Sequence, residues 1–148
     1  MALEFTKRQI VRHKLVLFMN KFNYRIYFED TDAGGIVYYA NYLKFYERAR
    51  TDFLRARGIS QQKLAKEENI GFVVRRCEIE YISPAILDNE IEVSVAIKEF
   101  SFTIIKIYQE IKIDKKILST LNVDLACINL EKLKPHKISQ NLKDLLNV

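Results

Sequence analysis

The chain has 148 residues, 49% hydrophobic and 29% charged, the balance of one globular domain rather than a disordered or fibrous chain. Two cysteines and two histidines exclude a disulfide framework, a Cys-rich zinc site and any His-based site in the central region, since His13 and His136 lie near the ends. The net charge of +5 is modest and spread out, so no basic stripe marks a nucleic-acid-binding module.

Residues 1–20 hold a basic run from Lys7 to Lys14 and an apolar run from Leu15 to Met19. That apolar run is shorter than a secretory h-region and no small-residue cleavage pattern follows. The segment reads as an N-terminal extension of a cytoplasmic protein, or as residues upstream of a start at Met19, ahead of a single domain over 21–148. No later apolar run approaches a membrane span. Tyr24 to Glu29 alternates aromatic and polar residues and predicts a first strand. Residues 30–38 form a turn-rich loop containing Gly34 and Gly35. From Tyr39 to Arg57 the apolar residues Tyr42, Phe45, Tyr46, Ala49 and Phe53 share one helical face, and Gly58 is a natural stop. A short helix follows over Ser60 to Glu68, capped by Ser60.

The remainder alternates as strands. These cover Phe72 to Ile82, a run through Ile91 to Lys98, Thr103 to Ile113, and Leu118 to Leu130. A phase slip at Ala126-Cys127 predicts a bulge in the last one, and Asp114-Lys115-Lys116 a tight turn before it. Cys77 and Cys127 read as small buried hydrophobes. Leu142, Leu145 and Leu146 predict a short C-terminal helix. A strand, a long helix and four antiparallel strands make an α+β domain with the helix packed on one sheet face. Its unpaired edges favour oligomerisation.

The chemistry concentrates between Glu29 and Tyr42. Three carboxylates, Glu29, Asp30 and Asp32, precede two glycines and a helix. A helix start offers unpaired N–H groups and partial positive charge, a site for a developing oxyanion. A carboxylate beside it can activate water or attack a carbonyl. The same pattern also fits plain turn and cap chemistry.

The segment YRIYFEDTDAGGIVYYANYLKFYERAR (residues 24–50) resembles the signature of the 4-hydroxybenzoyl-CoA-thioesterase-like hotdog family. Within it, the chain looks like the acyl-CoA thioesterases associated with the bacterial Tol–Pal envelope system. The run Phe72-Val73-Val74-Arg75-Arg76 and the later Lys132-Leu133-Lys134-Pro135 extend the likeness to about Ile138. The resemblance implies a hotdog fold, a long central helix wrapped by an antiparallel five-stranded sheet. It implies a homodimer or homotetramer that hydrolyses acyl-CoA, with CoA part of the substrate and no separate cofactor. Asp32 matches the family's catalytic carboxylate. Tyr39 falls at the helix start, where a backbone N–H polarises the thioester carbonyl.

Two positions depart from the pattern. Many Tol–Pal-type members carry His where this chain has Tyr39, and relatives often carry Arg-Gly where it has Ser101-Phe102. A backbone N–H survives the first change; an imidazole role does not. CoA phosphates call for cations, and Arg75, Arg76, Lys132 and Lys134 are the candidates by position, although a lone cation of this kind is more often a solvated surface charge. Ile36, Val37, Phe72 and Val73 are candidates for acyl-chain contact. Arg48 and Arg50 read as helix-surface partners of Glu47. The competing reading is a non-catalytic hotdog protein that binds acyl-CoA or acyl carrier protein. A dehydratase is disfavoured by the missing central histidine.

Overall fold

The computed structural model describes residues 20–147. The expected extension lies outside that range except Asn20, the first residue of β1 (Asn20–Arg25). A 3-10 turn (Phe28–Asp30) leads into the loop before the central helix α1 (Asn41–Ala56). Then come α2 (Gln61–Lys63), a π-helical turn (Leu64–Glu68) and β2 (Ile70–Tyr81). Strands β3 (Glu90–Phe100), β4 (Ile104–Ile113), β5 (Lys116–Asn129) and β6 (Lys134–Pro135) precede α3 (Gln140–Leu146).

The strands form one antiparallel sheet in the order β1-β3-β4-β5-β2, with β6 pairing β5 as a short sixth strand. The sheet wraps α1. Tyr42, Phe45, Tyr46, Ala49, Phe53 and Leu54 are buried on one helical face against a core that includes Ile91, Val93, Ile107, Ile111, Leu121 and Val123. Burying each aromatic ring contributes about 1.5–3 kcal/mol. Two hydroxyls fix the helix on the sheet. Tyr46 Oη donates to Ser119 Oγ on β5 at 2.8 Å, and Tyr24 Oη on β1 donates to the Asp52 carboxylate. Burial and the Asp52 charge hold the Tyr24 phenol far above its usual range.

Several expectations shift. The first strand ends at Arg25, opposite Glu90, where β3 begins. Ile26 still exchanges backbone bonds with Asp88 and Asn89 ahead of β3; beyond it Asp30 Oδ2 accepts from the Tyr27 N–H at 2.8 Å, curling 28–30 into a 3-10 turn. The bulge lies in β2, between Val74 and Arg76, not at Ala126-Cys127. Leu121, Val123, Leu125 and Cys127 are all buried, so β5 keeps its phase from Leu121 to Cys127 and Cys127 counts as an inward residue; the irregularity of β5 against β4 lies at Leu118 instead. The bulge lets both Val74 and Cys77, three apart, line the helix side; Cys77 is exposed there rather than buried. Ser60 caps α2 as expected, accepting from the Lys63 N–H. The C-terminal helix buries Leu142 and Leu146 but leaves Leu145 exposed.

One polar cluster sits inside the core. The β3–β4 ladder runs from Val93↔Ile111 to Ala96↔Tyr108, and side chains fill the gap between. Ser94 Oγ accepts from the Glu110 N–H at 2.9 Å. The buried Gln109 donates through Nε2 to the carbonyls of Tyr46 (3.1 Å) and Ser94 (3.2 Å). Its Oε1 accepts from Arg50 Nη1 at 2.9 Å. Arg50 therefore reaches into the sheet instead of pairing with Glu47 along the helix surface. Burial lowers its pKa, so the amide acceptor compensates a guanidinium drawn partly out of water.

Candidate active site

The loop before α1 is cross-tied along its length. Thr31 and Val37 form an antiparallel bridge. Inside it, the Asp32 N–H donates to the Ile36 carbonyl (2.9 Å) and the Gly35 N–H to the Asp32 carbonyl (3.0 Å). Gly35 has φ +77°, a conformation that a side chain disfavours. The loop is also anchored outward, by the Val37 N–H on the Ala85 carbonyl (2.9 Å) and by a bridge between Ile36 and Ile86.

Asp32 sits at the tip of this loop and is exposed. Its Oδ1 accepts from the Gly34 N–H at 2.8 Å. Among the described residues Oδ2 has no protein partner. The carboxylate is thus oriented through one oxygen and open through the other. Asp30 is different: it is buried and its side chain is spent on the 3-10 turn. Its carbonyl joins the loop to the helix, accepting from the Tyr38 N–H (2.9 Å) and from Asn41 Nδ2 (2.9 Å).

Tyr39 lies in the turn ahead of α1, two residues before the first helical residue. The helix starts at Asn41 because Tyr38 is still held in the loop by Asp30, while the Asn41 N–H donates to the Tyr38 carbonyl at 2.8 Å. Among the described residues, neither the Tyr39 nor the Ala40 N–H has an acceptor. The Tyr39 ring is 62% exposed and stands edge-on to Tyr38, with centroids 4.8 Å apart. The neighbouring Tyr39 phenol raises the Tyr38 pKa.

Two apolar grooves flank the loop–helix junction and α1. One, of about 290 Å³, is lined by Ile36, Val37, Tyr39, Tyr42, Tyr81 and Pro84 among others. A second, of about 390 Å³, runs between α1 and β2, with Leu43, Val74, Cys77 and Leu121 as walls and Glu47 and Arg50 beside them. Of the expected acyl contacts, Ile36 and Val37 meet in the first groove; Phe72 and Val73 line neither.

The four expected phosphate-binding cations are exposed and scattered. Arg75 occupies the bulge of β2, and Arg76 turns to the outer sheet face, 3.7 Å from Glu78. Lys132 and Lys134 lie beyond the end of β5, where the Lys132 N–H caps Asn129 Oδ1 at 2.8 Å. No hydrogen bond or ion pair among the described residues joins them to the Asp32 loop. At Ser101-Phe102 the departure is accommodated locally: Ser101 Oγ accepts from the Ile104 N–H at 3.2 Å and closes the β3–β4 hairpin.

Sequence reading missed Tyr81. It ends β2, and its hydroxyl donates to the Tyr39 carbonyl at 2.8 Å. Its partner is a backbone atom 42 residues away, so no side-chain pattern announces the pair.

The comparisons agree with this architecture. The family model described as thioesterase-like superfamily matches residues 26–146. The acyl-CoA thioesterase YbgC of Haemophilus influenzae is 40% identical over 122 residues, covering 82% of this chain and 90% of that protein. The YbgC protein of Helicobacter pylori is 36% identical over 117 residues, covering 77% and 74%. The crystal structure of a probable thioesterase from Bartonella henselae matches with a TM-score of 0.79 at 36% identity, over 82% of this chain and 99% of that one. With matches over most of its length and a helix wrapped by one antiparallel sheet, the chain belongs to the thioesterase-like superfamily of hotdog proteins.

Proposed function

We propose that this protein hydrolyses acyl-CoA thioesters to the free acid and CoA, with Asp32 as general base or nucleophile and the Tyr39 N–H at the oxyanion. One observation carries the reading of the residues. A carboxylate with one tethered and one free oxygen sits on a cross-tied loop whose other arm leads to an unpaired backbone N–H. The relatives named acyl-CoA thioesterases support the substrate class.

In the general-base route, water attacks the carbonyl carbon while Asp32 takes its proton. The carbonyl electron pair moves onto oxygen, where the Tyr39 N–H stabilises it. Collapse of this intermediate restores the C=O bond and breaks the C–S bond. The departing thiolate takes the proton back from Asp32, leaving acid and CoA. In the nucleophilic route Asp32 adds first and expels the thiolate, and water then cleaves the mixed anhydride. Both routes need only a carboxylate, backbone donors and water, so no separate cofactor enters; CoA is part of the substrate.

Arg75, Arg76, Lys132 and Lys134 supply charge for the CoA phosphates, and the donor is CoA or acyl carrier protein. The protein acts in the cytoplasm, in the setting of the Tol–Pal envelope system, as a homodimer or homotetramer. The outer edge of β2 supports assembly: β5 pairs one side of the strand, and Val73 and Val74 on it are exposed. No helix among the described residues is long and apolar enough to cross a membrane.

The test is free-thiol release from acyl-CoAs running from short aliphatic through benzoyl to palmitoyl, comparing the protein with Asp32→Asn. Asparagine keeps an acceptor for the Gly34 N–H and removes the base. Turnover is expected to fall about 10²- to 10⁴-fold, with the same oligomeric mass and unfolding midpoint. Equal turnover by the variant overturns the role of Asp32. No turnover on any thioester moves the reading to a binding protein for acyl-CoA or acyl carrier protein.

A further inference from the structure

Tyr81 has no part in the route above, yet its hydroxyl meets the backbone of the proposed oxyanion site. It donates to the Tyr39 carbonyl at 2.8 Å. The ring is clamped edge-on against Tyr42, with centroids 5.2 Å apart, and against Tyr39 at 6.3 Å. The backbone behind it is fixed as well, because Tyr81 pairs with Ser119 and the next N–H, that of Ile82, donates to the Leu118 carbonyl at 2.8 Å. The phenol is therefore aimed by packing on one side and by the sheet on the other. Burial, with Tyr39 and Tyr42 beside it, raises its pKa, which keeps it a donor.

The carbonyl it holds belongs to the Tyr39–Ala40 peptide. In a trans peptide the C=O and N–H point in opposite directions. Fixing the Tyr39 oxygen against Tyr81 therefore turns the Ala40 N–H away from Tyr81. That N–H, like the one on Tyr39, has no acceptor among the described residues. A hydrogen bond accepted at the oxygen also polarises the peptide and strengthens its N–H as a donor.

We infer that Tyr81 is a positioning residue of the thioesterase site: it orients and polarises the Tyr39–Ala40 peptide so that the Ala40 N–H joins the Tyr39 N–H in stabilising the oxyanion. This rests on the hydrolase reading above. The contribution is made in the transition state, so it belongs to kcat and not to substrate binding.

The test is steady-state thioester hydrolysis by Tyr81→Phe, with the acyl-CoA that the unmodified protein turns over best. Phenylalanine keeps the ring contacts and removes only the hydroxyl. A kcat lowered about fivefold is expected, the factor corresponding to one neutral hydrogen bond, with KM within twofold. An unchanged kcat, or a raised KM at unchanged kcat, overturns the inference. If Tyr81→Phe does not fold, site-specific fluorotyrosines at position 81 decide the matter. A kcat that rises with phenol acidity below the phenol's pKa upholds it; a flat series overturns it. Absence of turnover in the unmodified protein instead brings down the hydrolase reading itself.

Discussion

Gly34 holds Asp32 through a single bond, its N–H donating to Oδ1 at 2.8 Å. The two groups are so close that a Cβ on Gly34 would lie 3.1 Å from that oxygen. The glycine is there because the carboxylate folds back over it.

Gly34→Ala follows from that contact. The carboxylate must give by a few tenths of an ångström, while the exposed loop loses none of its cross-ties. Small misplacements of a reacting group cost rate steeply. We expect kcat to fall about three- to tenfold, with the unfolding midpoint nearly unchanged. Steady-state thiol release and a urea titration on the same preparation check both halves.

The Gln109 cluster makes a prediction about stability. Gln109→Leu is close in size but leaves Arg50 without its amide acceptor and the Ser94 carbonyl without the Gln109 donor. Each unsatisfied buried polar group costs about 1–3 kcal/mol, so for the two groups a loss of about 2–6 kcal/mol is expected. Urea unfolding at matched protein concentration measures it, since the proposed assembly would make stability concentration-dependent.

Cys127 adds a pH dependence. Burial pushes its thiol up to about 11 from an ordinary value of 9.0. Between those values the unfolded chain releases the thiol proton and the folded chain keeps it. The unfolded state then binds fewer protons, so stability falls as pH rises through that window. Unfolding midpoints at pH 8.5 and 10.5, for the protein and for Cys127→Ala, test this. The variant is less stable at the lower pH, from the cavity it opens, but loses less on going to the higher one. Parallel losses would show that Cys127 does not contribute to the slope.

The Asp32→Asn and Tyr81→Phe comparisons separate the two parts of the site. Removing the carboxylate is expected to abolish most turnover; removing the phenol is expected to reduce it severalfold. That ranking reflects their proposed roles, one exchanging a proton or forming a bond with the substrate, the other acting through a peptide group. A phenol effect as large as the carboxylate effect would mean that Tyr81 takes part in the chemistry directly.

What the sequence determined by itself was local. Apolar spacing from Tyr42 to Phe53 specified a helix face, and strict alternation in Ile91 to Ile97 specified a strand, because side-chain direction repeats with backbone geometry. Gly34, Gly35 and the flanking acids marked the loop, since turn residues carry their conformations with them. The family likeness singled out Asp32 and Tyr39. Tertiary structure alone decided the rest. The first strand ended at Arg25 because its antiparallel partner β3 begins at Glu90, opposite it. The bulge fell at Arg75 in β2, opposite the Asp124–Leu125 step of β5 and not at Ala126-Cys127, which pair regularly with Val73 and Phe72. Arg50 turned inward to Gln109, and Tyr81 found a carbonyl on the far side of the helix start. These outcomes depend on which strand edge or backbone atom arrives opposite a residue, and that is set by the closing of the sheet around α1 and not by neighbours in the chain.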